Sequence, residues 1–211
     1  MFPTLNSRKL HLSLAMFAVI AFSSAVARAD QVIINTPNAG LSGSPGPYAT
    51  VTYVLNGSNI DVTVTMFSGF QAFGQGNGNN GIFGFNVVGS TAGLNITNMV
   101  GVNAFSAGGG QMDGFGNFDV TLDCCNPANA VSSFSFTVSR TGGFSSASQL
   151  FEANANGAHF AIHIAPTNGN PTGFAADGGQ STEVPEPTTM LLLGSGLIGT
   201  AAGLRRRFRK K

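Results

Sequence analysis

The stretch from residue 49 to residue 67 restricts the fold more than any other part of the chain. It alternates apolar and polar residues on either side of Gly57-Ser58. A two-residue turn with glycine first suits a type II′ hairpin and pairs Asn56 with Asn59. That register sets Leu55 opposite Ile60, Tyr53 opposite Val62 and Val51 opposite Val64 on one face. Thr52 then meets Thr63, and Thr50 meets Thr65, on the other. A slip of one residue would mix the two faces, so a hairpin with one buried and one solvated side is expected.

Shorter runs of the same kind lie at 32–34, 82–88, 94–100, 118–124, 134–139 and 160–165, with a weaker one at 172–176. Glycine-rich turns separate them. No long stripe of helical period is present, and residues 149–158 read as a short helix or an irregular connection. These signals predict an all-β domain over residues 30–177, a β-sandwich of short antiparallel strands. The apolar content is too high for a disordered chain, and no long repeat points to a solenoid. Residues 178–187 read as a linker.

Both ends carry addresses. Arg8 and Lys9 precede an apolar stretch over 10–26, and Ala27-Arg28-Ala29 places small residues where signal peptidase reads them. Residues 1–29 are therefore expected to be a signal peptide, cut before Asp30. At the other end Val184-Pro185-Glu186-Pro187 leads into 188–204, which carries no charge. As a helix that segment would rise about 25 Å against a hydrocarbon core of about 30 Å, so it reads as a single transmembrane helix. Pro185 and Pro187 keep the approach to the membrane extended. Arg205, Arg206, Arg207, Arg209, Lys210 and Lys211 form a basic tail, 205–211, expected to stay in the cytoplasm with residues 30–187 on the far side.

The order of Pro-Glu-Pro, short apolar segment and arginine-rich end over 184–211 resembles the PEP-CTERM sorting signal of Gram-negative bacteria. The resemblance implies an inner-membrane precursor whose tail an exosortase, a membrane transpeptidase, removes at the Pro-Glu-Pro region. It also implies a cell-surface or extracellular-matrix destination, with exopolysaccharide as a candidate partner. The same tail has been labelled an ice-binding protein C-terminal domain, a label that describes a shared address.

The formal charge of +1 conceals where the charges lie. Between residues 30 and 183 Arg140 is the one basic residue against eight carboxylates, a net of −7. Such a surface cannot neutralise phosphates, which excludes nucleic acid as a partner.

Candidate sites for chemistry are few. Residues 76–81 match G-x-G-x-x-G, but a strand-like Ile82-Phe83-Gly84-Phe85 follows where a dinucleotide site needs a helix. His159 and His163 would stand about 13 Å apart on one strand, too far for one metal ion, and read as two solvent-facing histidines. Cys124-Cys125 are the only cysteines. In an oxidising compartment they are open to a bond between neighbours, a free pair or a bond to another molecule. Asp113, Asn117, Asp119 and Asp123 could offer oxygens to calcium, yet they lack the repeated array such loops use and read as surface residues. No catalytic residue, metal or cofactor is assigned, and no enzyme is expected.

The expected role is structural or binding. A carbohydrate-binding module is the first rival, weakened because the chain has no Trp and only Tyr48 and Tyr53. A secreted hydrolase is the second, and it would need His159 joined to Asp119 or Asp123. The threonines of the hairpin form a hydroxyl patch expected to end after two strands, since no further T-x-T follows.

Overall fold

A computed structural model describes residues 29–74 and 81–178, together with the backbone of 181–182. Residues 1–28 of the expected signal peptide, residues 75–80, the Pro-Glu-Pro motif, the segment 188–204 and the basic tail lie outside the described residues. Among the described residues no helix is long and apolar enough to cross a membrane.

The strands in chain order are β1 (Ala29–Ile34), β2 (Thr36–Pro37), β3 (Ala49–Asn56), β4 (Asn59–Met66), β5 (Phe70–Ala72), β6 (Phe83–Phe85) and β7 (Asn95–Val100). After these come β8 (Ala104–Ser106), β9 (Gly110–Met112), β10 (Gly116–Phe118), β11 (Val120–Asp123), β12 (Ser133–Ser139), β13 (Phe160–Pro166), β14 (Gly173–Ala176) and β15 (Ser181–Thr182). The described residues are thus all-β, with short 3₁₀ turns and antiparallel pairing throughout.

One sheet runs β15-β1-β3-β4-β12-β7. The other runs β2-β14-β13-β6-β11-β8, with β5 also beside β13. The hairpin β3–β4 has the register its alternation demands, from Asn56 opposite Asn59 to Thr50 opposite Thr65. Gly57 takes φ 63° at the first turn position, which glycine adopts without steric cost. Val51, Tyr53, Ile60, Val62 and Val64 are buried as expected, while Leu55, beside the turn, is only half-buried.

The inward sides of the two sheets share one core. Phe83 on β6 holds it together, with ring centroids 5.6 Å from Phe134 and 6.0 Å from Phe136 on the opposite sheet. Phe85 lies 5.8 Å from Phe136, and Phe160 lies 5.7 Å from Phe83. Phe83 and Phe85 on β6, with Phe134 and Phe136 on β12, therefore supply the large apolar areas that drive the sheets together.

The outer side of the second sheet is covered too. The β9–β10 hairpin lies on it, and Met112, Phe118, Ala158, Ala161, Phe174 and Ala176 form a second buried cluster. Gly84 on β6 makes this approach possible, because a Cβ there would stand 2.9 Å from Met112 Cγ and 3.0 Å from Phe118 Cγ.

Three boundaries differ from expectation. The run 82–88 is a strand only over Phe83–Phe85, because Asn86 leaves the ladder. Its amide donates to the carbonyls of Glu152 (3.1 Å) and Ala158 (3.4 Å), and its Oδ1 accepts from Asp119 N (3.0 Å). That last bond breaks the run 118–124 at Asp119, so β10 crosses to the covering layer while β11 stays in the sheet. Finally, Ser181–Thr182 pairs with β1, so the region read as a linker rejoins the sheet before the sorting motif.

Candidate functional sites

His159 and His163 both turn away from solvent. His163 on β13 is 3% exposed, because the rings of Phe73, just after β5, and Phe174, on β14, close over it. Its ring lies 4.1 Å from Phe73 and 4.3 Å from Phe174, and its Nδ1 is buried without a partner among the described residues. Burial lowers its pKa to about 4, against a hydrogen bond to the Phe73 backbone that raises it. This side chain is a neutral part of the core.

His159 stacks on Phe151 at 3.6 Å, and its Nδ1 lies 2.9 Å from Asp177 Oδ2. Asp177 Oδ1 accepts from the backbone N–H groups of His159 (3.0 Å) and Phe160 (3.3 Å). The carboxylate therefore clamps the start of β13 and orients the imidazole. The nearby Tyr53 phenol is raised by burial first, then by the charges of Asp30 and Asp177. The hydrolase pairings are not formed: Asp119 Oδ2 accepts from Val87 N (3.2 Å), and Asp123 Oδ1 accepts from Cys124 N (2.9 Å).

The four oxygen-bearing residues considered for calcium do not converge. Asp113 Oδ2 accepts from Asn38 Nδ2 (3.4 Å), the Asn117 carbonyl accepts from Asn154 Nδ2 (3.1 Å), and Asp119 and Asp123 face different backbone amides. Among the described residues no three His, Cys, Asp or Glu side chains gather as a metal set. Cys124 and Cys125 are bonded to each other at the end of β11, where the Cys125 carbonyl accepts from Gly74 N (3.0 Å).

The hydroxyl patch is larger than the hairpin. Ser133, Ser135 and Thr137 on β12 pair with Thr65, Thr63 and Asp61 on β4, so the rows continue onto a third strand. A search for threonine pairs misses this. The readable signal is the alternation of Ser133, Ser135, Thr137 and Ser139 with apolar residues. On this face Thr137 Oγ1 donates to Asp61 Oδ1 (2.7 Å), Asn56 Nδ2 donates to Asp61 Oδ2 (2.8 Å), and Asn98 Nδ2 donates to Thr137 Oγ1 (3.2 Å). Sequence reading singled out none of Asp61, Asn98, Thr137 or Asp177 as a site, since only pairing across strands gives them meaning.

A family model of the PEP-CTERM protein-sorting motif matches residues 183–207. This span holds the Val184-Pro185-Glu186-Pro187 signal and the start of the basic tail, and it marks an exported protein addressed to an exosortase. No curated protein and no solved structure matches the chain.

Proposed function

We propose that the chain is an exported β-sandwich protein of the cell surface or extracellular matrix, with a structural or binding role and no catalytic one. The observation that carries this reading is the sorting motif at 183–207, placed directly after a domain that ends on its own sheet edge. Signal peptidase cuts before Asp30, residues 188–204 hold the precursor in the inner membrane, and an exosortase removes the tail. The facing phenylalanines support the sandwich reading. The clamp of His159 to Asp177, with Asp119 and Asp123 bound elsewhere, supports a role without catalysis.

Intact mass spectrometry of surface material should find a chain that begins at Asp30 and lacks 205–211. Replacing Pro185, Glu186 and Pro187 with alanine should leave the full precursor in the membrane fraction. Unchanged release of that variant would remove the motif from the account.

A further inference from the structure

The outer face of the six-stranded sheet is built unevenly. Between Ser135 and Thr137 the register of β12 against β7 shifts. Opposite the shift Asn98 has φ 50°, the only left-handed backbone outside glycine among the described residues. Such bulges re-aim a side chain, and asparagine tolerates that conformation better than most residues. Here it brings the Asn98 amide onto Thr137 and through it to Asp61. Beside these side chains lies a groove of about 370 Å³, which Asn56, Asn59, Thr63 and Ser135 help to line.

The same face has an aromatic end. Phe67 follows β4 in phase with Asp61, Thr63 and Thr65, and at 38% exposed it is the one large aromatic among the described residues that stands out into solvent. Six residues of strand separate it from Asp61, about 20 Å. Val100, opposite Ser135 and 64% exposed, adds an apolar border.

We infer that this face binds a neutral glycan chain, stacked on Phe67 at one end and hydrogen-bonded in the Asp61–Asn98–Thr137 groove at the other. The inference rests on the binding role proposed above and names its ligand class. Sugar hydroxyls both donate and accept, which suits a lining of one carboxylate, three amides and three hydroxyls. Asp61 accepts two hydrogen bonds within the protein and has lone pairs for more. The C–H side of a sugar ring suits the Phe67 ring. A uronate or sulfated chain does not fit. It would meet Asp61 and a net charge of −7 with no cation on the face, since Arg140 is bound to the carbonyls of Val88 and Gly143.

The test is native electrophoresis of the processed protein through gels holding dextran, mannan, hydroxyethylcellulose or alginate. At least one neutral polymer should retard the protein, and alginate should not. Asp61→Asn, Asn98→Gly and Phe67→Ala should each weaken the retardation at least tenfold, with melting temperature recorded for each. Asn98→Gly keeps a backbone that glycine adopts freely, so a loss of binding there is not a loss of fold. Asn117→Ala, on the covering hairpin across the molecule, should bind as the parent does. Retardation that survives all three variants would overturn the face assignment and leave a binding role standing. No retardation by a neutral polymer, or retardation by alginate alone, would overturn the ligand class. Tail processing, measured separately, would be untouched by either result.

Discussion

Acid should destabilise this domain through His163 in a defined window. Its folded pKa of about 4 lies below the ordinary 6.5, so between those values the unfolded chain binds a proton that the folded chain does not. The sign follows: the contribution to stability is complete above about pH 6.5, falls as pH drops through the window, and is gone near pH 4. Each pKa unit corresponds to about 1.4 kcal/mol, so the loss amounts to about 3 kcal/mol. Stabilities of single domains are about 5–15 kcal/mol, so a loss of that size should be plain in a denaturation curve.

The perturbation is His163→Phe, which keeps a ring between Phe73 and Phe174 and removes the titration. Urea unfolding of both proteins at pH 7.5, 6, 5 and 4 gives the two profiles. Every other ionisable group is common to both chains, so the difference between the profiles isolates His163. The parent should lose about 3 kcal/mol more than the variant between the ends of the series. Parallel profiles would refute the argument, because they would mean that the ring accepts its proton within the fold as readily as in water.

Three other outcomes are expected. Val62→Asp should cost at least ~4 kcal/mol because it buries an unpaired charge, while Thr63→Asp on the exposed side should change stability by no more than about 0.5 kcal/mol; equal effects in thermal melts would reverse the face assignment. Gly84→Val should destabilise by about 1–3 kcal/mol, since its side chain must displace Met112 and Phe118, and near-ultraviolet dichroism should report the disturbed aromatic packing. The processed protein should take up no thiol label until it is reduced and then two per chain, because Cys124 and Cys125 are joined to each other; labelling of the unreduced protein would contradict that bond.

The hairpin was legible in the sequence because its evidence is local. Alternation gave the two faces, Gly57-Ser58 gave the turn, and together they left one register, the one found. The covering layer was not legible. Its strands β9 and β10 are three residues each, and their glycines read as a loop. They hold as strands only because Met112 and Phe118 have the outer side of β6 and β13 to pack on. The histidines were misread for the same reason. Alternation correctly put His163 on the side of β13 away from the main core, but it does not say whether that side meets water, and His159 lies just before β13, stacked on Phe151.

The break at Asp119 shows how a local rule was overridden. Residues 118–124 alternate well enough to make one strand, and β propensity alone would keep them together. Asn86 divides them by accepting from Asp119 N, while Asp119 returns a carboxylate oxygen to Val87 N. These reciprocal bonds satisfy two backbone amides outside the ladder, so the break leaves neither donor unpaired. Phe118 is thereby free to lie over Gly84, and Val120 to stay in the main core. One polar pair thus decides which of two hydrophobic clusters each neighbour joins. Such a choice is invisible to any window of sequence, because Asn86 and Asp119 are 33 residues apart.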